Sequence, residues 1–135
     1  MVMADLVLSR QGKPRVVVEA KSRAAPADFV NPVFTQLRRF AFETGSEWMV
    51  LADPEHIRIF KGQELVPVAE LDTMDVLTQV DMNNVKHVGE PVVLLAVDRW
   101  LRKLQSERGL AVDSELAEFA EAVRGSDEST YEFQA

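Results

Sequence analysis

The chain has 135 residues, 47% of them hydrophobic and 27% charged, the composition of one globular domain with room for two packed layers around a core. It contains no cysteine, so disulfide frameworks, thiolate nucleophiles and cysteine-based zinc sites are excluded. The net charge of −7 argues against a protein that coats nucleic acid, because affinity for phosphates comes mostly from Lys and Arg. The charge is unevenly spread: residues 1–61 carry nine Lys or Arg against seven Asp or Glu, giving +2, whereas 62–135 carry six against fifteen, giving −9. The candidates for a phosphate-facing surface therefore lie in the first half: Arg10, Lys13, Arg15, Lys21, Arg23, Arg38 and Arg39. The apolar run before Arg10 is too short for a signal peptide, and no segment reaches the roughly 18 apolar residues of a membrane helix. A cytoplasmic protein without membrane contact is the expectation.

Taken in chain order, "ADLVLSR" alternates Leu6 and Leu8 with Asp5 and Val7, and "QGKP" supplies a turn before "RVVVEAK", which predicts a β-hairpin. "SRAAPADFVNP" is a loop, with Asn31 suited to cap a helix and Pro32 to open it. Val33, Leu37, Phe40 and Ala41 then fall at helical spacing, and Gly45 is placed to end the helix. "EWMVLA" is a short apolar strand, "DPEH" a turn, and "IRIFKG" a strand alternating Ile57 and Ile59 with Arg58 and Phe60. Residues 1–62 thus form a ββαββ core, an α/β arrangement with a mixed sheet of about four strands. Residues 63–126 form a helical extension: a short helix capped by Asp72 or Thr73, a strong helix opening at Pro91 and closing before Gly109, and a last helix through "DSELAEFAEAVRG". The whole is one domain, and 127–135 form a polar, frayed tail.

A strand sends alternate side chains to opposite faces, so Glu19 and Lys21 in "VVVEAKSR" point the same way, with Val17 before them. Gly12, taken as the centre of the hairpin loop, lies seven residues from Asp5 and seven from Glu19, which makes the two acids near cross-strand partners. Paired carboxylates repel unless a cation neutralises them. Mg²⁺ favours one or two carboxylates completed by water and substrate phosphate, and a neighbouring lysine can then orient or deprotonate an attacking water and stabilise charge on a phosphate.

The order Asp5, then Glu19-Ala20-Lys21, then Gln36 with Phe40 four residues later resembles the PD-(D/E)XK nuclease superfamily. The likeness is strongest to the nuclease domain at the N-terminus of type I restriction enzyme motor subunits and to RecB-like nucleases. It covers about 62 residues, through "ADLVL", "VVVEAKSR", "QLRRFA" and "EWMVLADPEHIRIFKG". The resemblance implies a restriction-endonuclease-like mixed sheet with flanking helices, and a Mg²⁺ (or Mn²⁺) site cutting phosphodiester bonds of DNA, in restriction, defence or repair. Asp5 and Glu19 would be the metal ligands, Lys21 the catalytic lysine and Gln36 an auxiliary catalytic residue on the helix, with Arg23, Arg38 and Arg39 as nucleic-acid contacts. Ala4 stands where the motif's name has proline, and Phe40 where the RecB-like pattern has tyrosine. Members usually carry a helix, often bearing another acid, and a further strand before the Asp. Here that helix would be dispensable, replaced by the C-terminal helices or supplied by another subunit.

Plainer explanations compete with these. Glu19 and Lys21 could be a surface salt bridge on an edge strand, worth about 0–1 kcal/mol. Gln36, Arg38 and Arg39 could be a solvated helix face. His56 and His87 lie 31 residues apart without ligand spacing, and Trp48 and Trp100 fit core or interface positions. No serine has a His–acid partner set, and no glycine-rich phosphate loop is present. The competing function is a catalytically inactive nuclease-fold domain serving in binding or assembly, as a homodimer through the helical half.

Overall fold

The computed structural model describes residues 5–21, 32–62, 64, 66–82, 84, 88–106 and 114–131. Its elements are β1 (Leu6–Arg10), β2 (Lys13–Ala20), α1 (Pro32–Thr44), β3 (Trp48–Ala52), β4 (His56–Lys61), β5 (Ala69–Asp72), α2 (Thr73–Gln79), α3 (Glu90–Ser106), α4 (Ser114–Arg124) and β6 (Glu128–Tyr131). The strands form one six-stranded mixed sheet in the order β5-β4-β3-β2-β1-β6, in which only β2 and β3 pair in parallel. The expected ββαββ order therefore holds within a larger sheet.

The hairpin closes through Gln11 and Gly12, whose φ values of 52° and 78° are the two left-handed positions that a two-residue turn needs to match strand twist. Arg10 pairs with Lys13 and Ser9 with Pro14, but Leu8 pairs with Val16, so a bulge at Arg15 shifts the register by one residue. The chain leaves β2 for the crossover helix α1, which ends at Gly45 with φ 74°, the left-handed terminus that glycine adopts without a Cβ penalty. It then returns as β3 beside β2.

Alternation along the central strands sorts their side chains into two cores. Val7, Val17, Met49, Leu51 and Phe60 pack with Leu37 and Ala41 of α1. Leu6, Leu8, Val16, Val18, Val50, Ile57 and Ile59 face the opposite way, against Val93, Val97, Trp100 and Leu101 of α3 and Phe119 and Val123 of α4. β2 is buried on both faces, which is why it reads as an unbroken valine run. Trp48 and Trp100 are core residues as expected, both 3% exposed, and Phe119 meets the first edge-on at 5.5 Å and stacks on the second at 6.0 Å.

Two parts of the second half differ from expectation. Residues Ala69–Asp72 are a strand, β5, rather than the approach to a helix, although Asp72 does cap α2 by accepting from the Met74 N–H at 3.0 Å. The supposedly frayed tail contains β6, antiparallel to β1 from Ser9↔Glu128 to Leu6↔Tyr131. The Asp127 N–H donates to the Ser9 carbonyl at 2.9 Å, and the Asp127 carboxylate accepts from the Gln11 N–H. Without β6 the outer edge of β1 would leave backbone groups unpaired beside the core, so a polar segment is ordered by ladder bonds rather than by apolar burial.

Candidate metal centre

β2 delivers Glu19 and Lys21 to its C-terminal end, on the α1 side of the sheet, because they share parity with Val17. The bulge at Arg15 matters here: continued one step past Leu6↔Val18, the shifted register sets Asp5 opposite Glu19 and on the same face. Asp5 is clipped to the residues on either side of Glu19. Its N–H donates to the Val18 carbonyl at 2.8 Å, and its carboxylate Oδ2 accepts from the Ala20 N–H at 2.8 Å. The Lys21 N–H donates to the Ala52 carbonyl at 2.8 Å, which ties the end of β2 to β3.

Glu19 is only 5% exposed. Its Oε1 accepts from Lys21 Nζ at 3.0 Å, while its Oε2 is buried and finds no hydrogen-bond partner among the described residues. Burial, reinforced by the nearby charges of Asp5 and Glu90 and only partly offset by Lys21, raises the Glu19 pKa to about 7. Burial pulls the Lys21 ammonium down, but its hydrogen bond to Glu19 and the charges of Glu19, Glu90 and Asp5 outweigh it, so its pKa is raised. Lys21 therefore stays protonated at neutral pH. The edge-strand salt bridge does not describe this pair: β2 is an interior strand between β1 and β3, and the carboxylate is buried.

Gln36 sits on α1 and is exposed, and no hydrogen bond joins it to Asp5, Glu19 or Lys21. Arg38 is half-buried and Arg39 exposed on the same helix, whereas Arg23 and His87 lie outside the described residues. Arg10, Lys13 and Arg15 fall at the hairpin end of the sheet, the end away from Lys21, with Arg15 paired to Glu47 at 3.3 Å. The first-half cations thus do not gather on one surface. Two surface concavities, of about 450 and 380 Å³, also lie toward the hairpin end, one beside Arg102 and Arg124 and the other beside Arg10 and Trp48.

The structure adds residues that the sequence did not single out. Glu90, in the first turn of α3, contributes its charge to both Glu19 and Lys21. An acid before Pro91 looks like an ordinary helix-start residue, favoured by the macrodipole; α3 packs on the opposite face of β2 from Glu19, so the effect of Glu90 is one of charge and not of contact. A second polar cluster lies on the same sheet face. Arg58, 5% exposed, donates to Glu70 at 2.9 Å and to Asp53 at 3.4 Å, and its Nη2 lies 3.4 Å from His56 Nδ1. Asp53 Oδ1 also accepts the Glu55 and His56 N–H groups, each at 2.8 Å, which closes the β3–β4 turn.

Asp5, Glu19 and Lys21 are brought together as expected, and Gln36 is not joined to them. The donors are all oxygen, which suits a hard cation such as Mg²⁺ or Mn²⁺, and the unpartnered Glu19 Oε2 is the acceptor such an ion would satisfy. Among the described residues no three His, Asp or Glu side chains converge on one ion position, so direct protein ligation would rest on Asp5 and Glu19. No family model matches the chain, and neither a curated protein nor a solved structure does.

Proposed function

We propose that the protein is a Mg²⁺-dependent nuclease that hydrolyses phosphodiester bonds of DNA, with Asp5 and Glu19 holding the ion and Lys21 beside it. One observation carries this: a carboxylate on an interior strand is buried with one oxygen on a lysine and the other without a hydrogen-bond partner among the described residues. Burying such a group costs several kcal/mol unless something satisfies it, so a ligand is the natural complement. When bound, the ion would neutralise phosphate charge and ease deprotonation of the attacking water. Lys21 keeps its proton, so it serves as a fixed positive charge and hydrogen-bond donor for the phosphate oxygens rather than as the base. Asp5, fixed by its two backbone bonds, keeps its position without help from the ion.

Mn²⁺ calorimetry on the wild type and Asp5→Ala, followed by a DNA cleavage assay, tests this. The expected result is binding and cleavage by the wild type and loss of both in the variant. No binding together with no cleavage of any DNA or RNA form overturns it. A second reading, a domain that keeps the architecture for binding or assembly through its helices, draws support from the 3.0 Å Lys21–Glu19 contact, which already supplies Glu19 with a counter-charge. The same assays separate the two.

A further inference from the structure

We infer that the concavity of about 450 Å³ between α3, the end of α4 and the start of β6 binds a phosphate group with free oxygens, as inorganic phosphate or a phosphate monoester, through the guanidinium groups of Arg102 and Arg124. This site is separate from the Asp5–Glu19 cluster and does not rest on the cation proposed there. Arg102, Gln105, Arg124, Ser126, Asp127 and Ser129 line it. Both arginines are held by their Nε atoms. Arg102 Nε donates to the Asp98 carboxylate one turn earlier at 3.2 Å, and Arg124 Nε donates to the Leu104 carbonyl near the end of α3 at 3.0 Å. Among the described residues no hydrogen bond uses the Nη groups of either. Each guanidinium is thus anchored by the protein and keeps its two outer nitrogens for a ligand.

The wall around them is tied together as well. Gln105 Nε2 donates to the Val123 carbonyl at 3.1 Å, joining α3 to α4, and Ser126 Oγ donates to the Ala122 carbonyl at 3.0 Å, fixing the turn toward β6. Anchored donors lose less freedom on binding than loose ones, which favours a specific ligand. Two forks on different helices can each take a pair of oxygens. A planar carboxylate offers one pair and is satisfied by one fork, whereas a phosphate with free oxygens has enough for both. The exposed Ser129 hydroxyl adds a further donor to the wall. Asp127 opposes the ligand's charge, although its carboxylate is already engaged by the Gln11 N–H at 3.1 Å. It limits affinity and gives the test a sign.

The test is calorimetry on the full chain in low-chloride buffer, with inorganic phosphate and with glycerol 3-phosphate. It compares the wild type, Arg102→Gln, Arg102→Lys, Arg124→Gln and Asp127→Asn, with ligand-free melting curves for each. Both glutamine variants are expected to weaken binding about tenfold or more, the worth of a hydrogen bond to a charged group. Arg102→Lys should recover only part of that, since it keeps the charge and loses the fork. Asp127→Asn, which can still accept from Gln11, should tighten binding. Arg124→Gln also gives up the bond to Leu104; should it melt early, Arg102→Gln, at a side chain 62% exposed, carries the comparison. Equal affinity for the two probes supports a site that reads the phosphate alone, and tighter binding of glycerol 3-phosphate supports a monoester as its ligand. Absence of binding at millimolar phosphate, or wild-type affinity in both glutamine variants, overturns the site.

Discussion

Two clusters of buried charge share one face of the sheet, and they are built differently. Around Arg58 the polar atoms close on one another: Asp53 takes two backbone N–H groups and the guanidinium, and Glu70 takes the guanidinium Nε. Around Glu19 the contacts among the described residues stop one short, with Oε2 left over. A satisfied cluster fixes a turn, here the one between β3 and β4, and the Asp53 carbonyl accepts from the Thr73 hydroxyl at 2.7 Å, which also ties in the start of α2. An unsatisfied cluster stores an affinity. The contrast fits the first to folding and makes the second the proposed binding site, and each prediction below is a way to break or sharpen it.

The largest effect should come from Arg58→Ala, which strands Asp53 without its counter-charge. Urea unfolding should show a loss of about 3–5 kcal/mol, with Mn²⁺ affinity unchanged among molecules that remain folded. A parallel fall in affinity would merge the two clusters into one. Lys21→Met should cut cleavage by about 10²–10³-fold among molecules that remain folded, and should also lower metal-free stability at neutral pH, because the buried Glu19 loses the counter-charge 3.0 Å away. A variant that cleaves normally removes Lys21 from the chemistry.

Glu19→Gln should reveal the strain directly. A carboxyl raised from 4.5 to about 7 binds its proton more tightly in the folded state than in the unfolded one. Its stabilising contribution is therefore complete below pH 4.5 and is lost as pH rises through 7. In metal-free buffer the wild type should lose about 2–3 kcal/mol between pH 4 and pH 8 relative to Glu19→Gln. Identical pH profiles for the two proteins would show that Glu19 is not strained. The smallest effect belongs to Gln36→Ala: an exposed side chain outside the hydrogen bonds of the site should change stability by less than about 0.5 kcal/mol and cleavage by only a few-fold. A hundredfold loss would restore the catalytic role that the sequence pattern gave it.

The first half of the chain was legible because local pattern and tertiary structure agree there. The valine run, the Gln11-Gly12 turn and Gly45 each allow few alternatives, and the hairpin brings Asp5 to Glu19 as expected. That pairing was nonetheless reached by a count centred on Gly12, whereas the turn is centred between Gln11 and Gly12 and the bulge at Arg15 supplies the missing residue. β5 and β6 escaped notice because both are short edge strands, held by hydrogen bonds to a neighbour rather than by an apolar period of their own. Glu90 escaped because a charge that acts across 71 positions of sequence leaves no local trace. Arg58 was not singled out, since nothing in "HIRIF" says that α1 covers the face it shares with Phe60.

The bulge at Arg15 has a consequence for how the gene can vary. Deleting Arg15 removes the extra residue with the bulge, so Leu8 still meets Val16 and Asp5 still meets Glu19. Because side chains alternate along a strand, deleting a residue between the bulge and Glu19 would instead place Ala20, not Glu19, opposite Asp5. The two acids would then lie on opposite faces with every candidate residue still present in the chain, so the spacing on the Glu19 side of the bulge carries as much of the arrangement as the identities of the two acids.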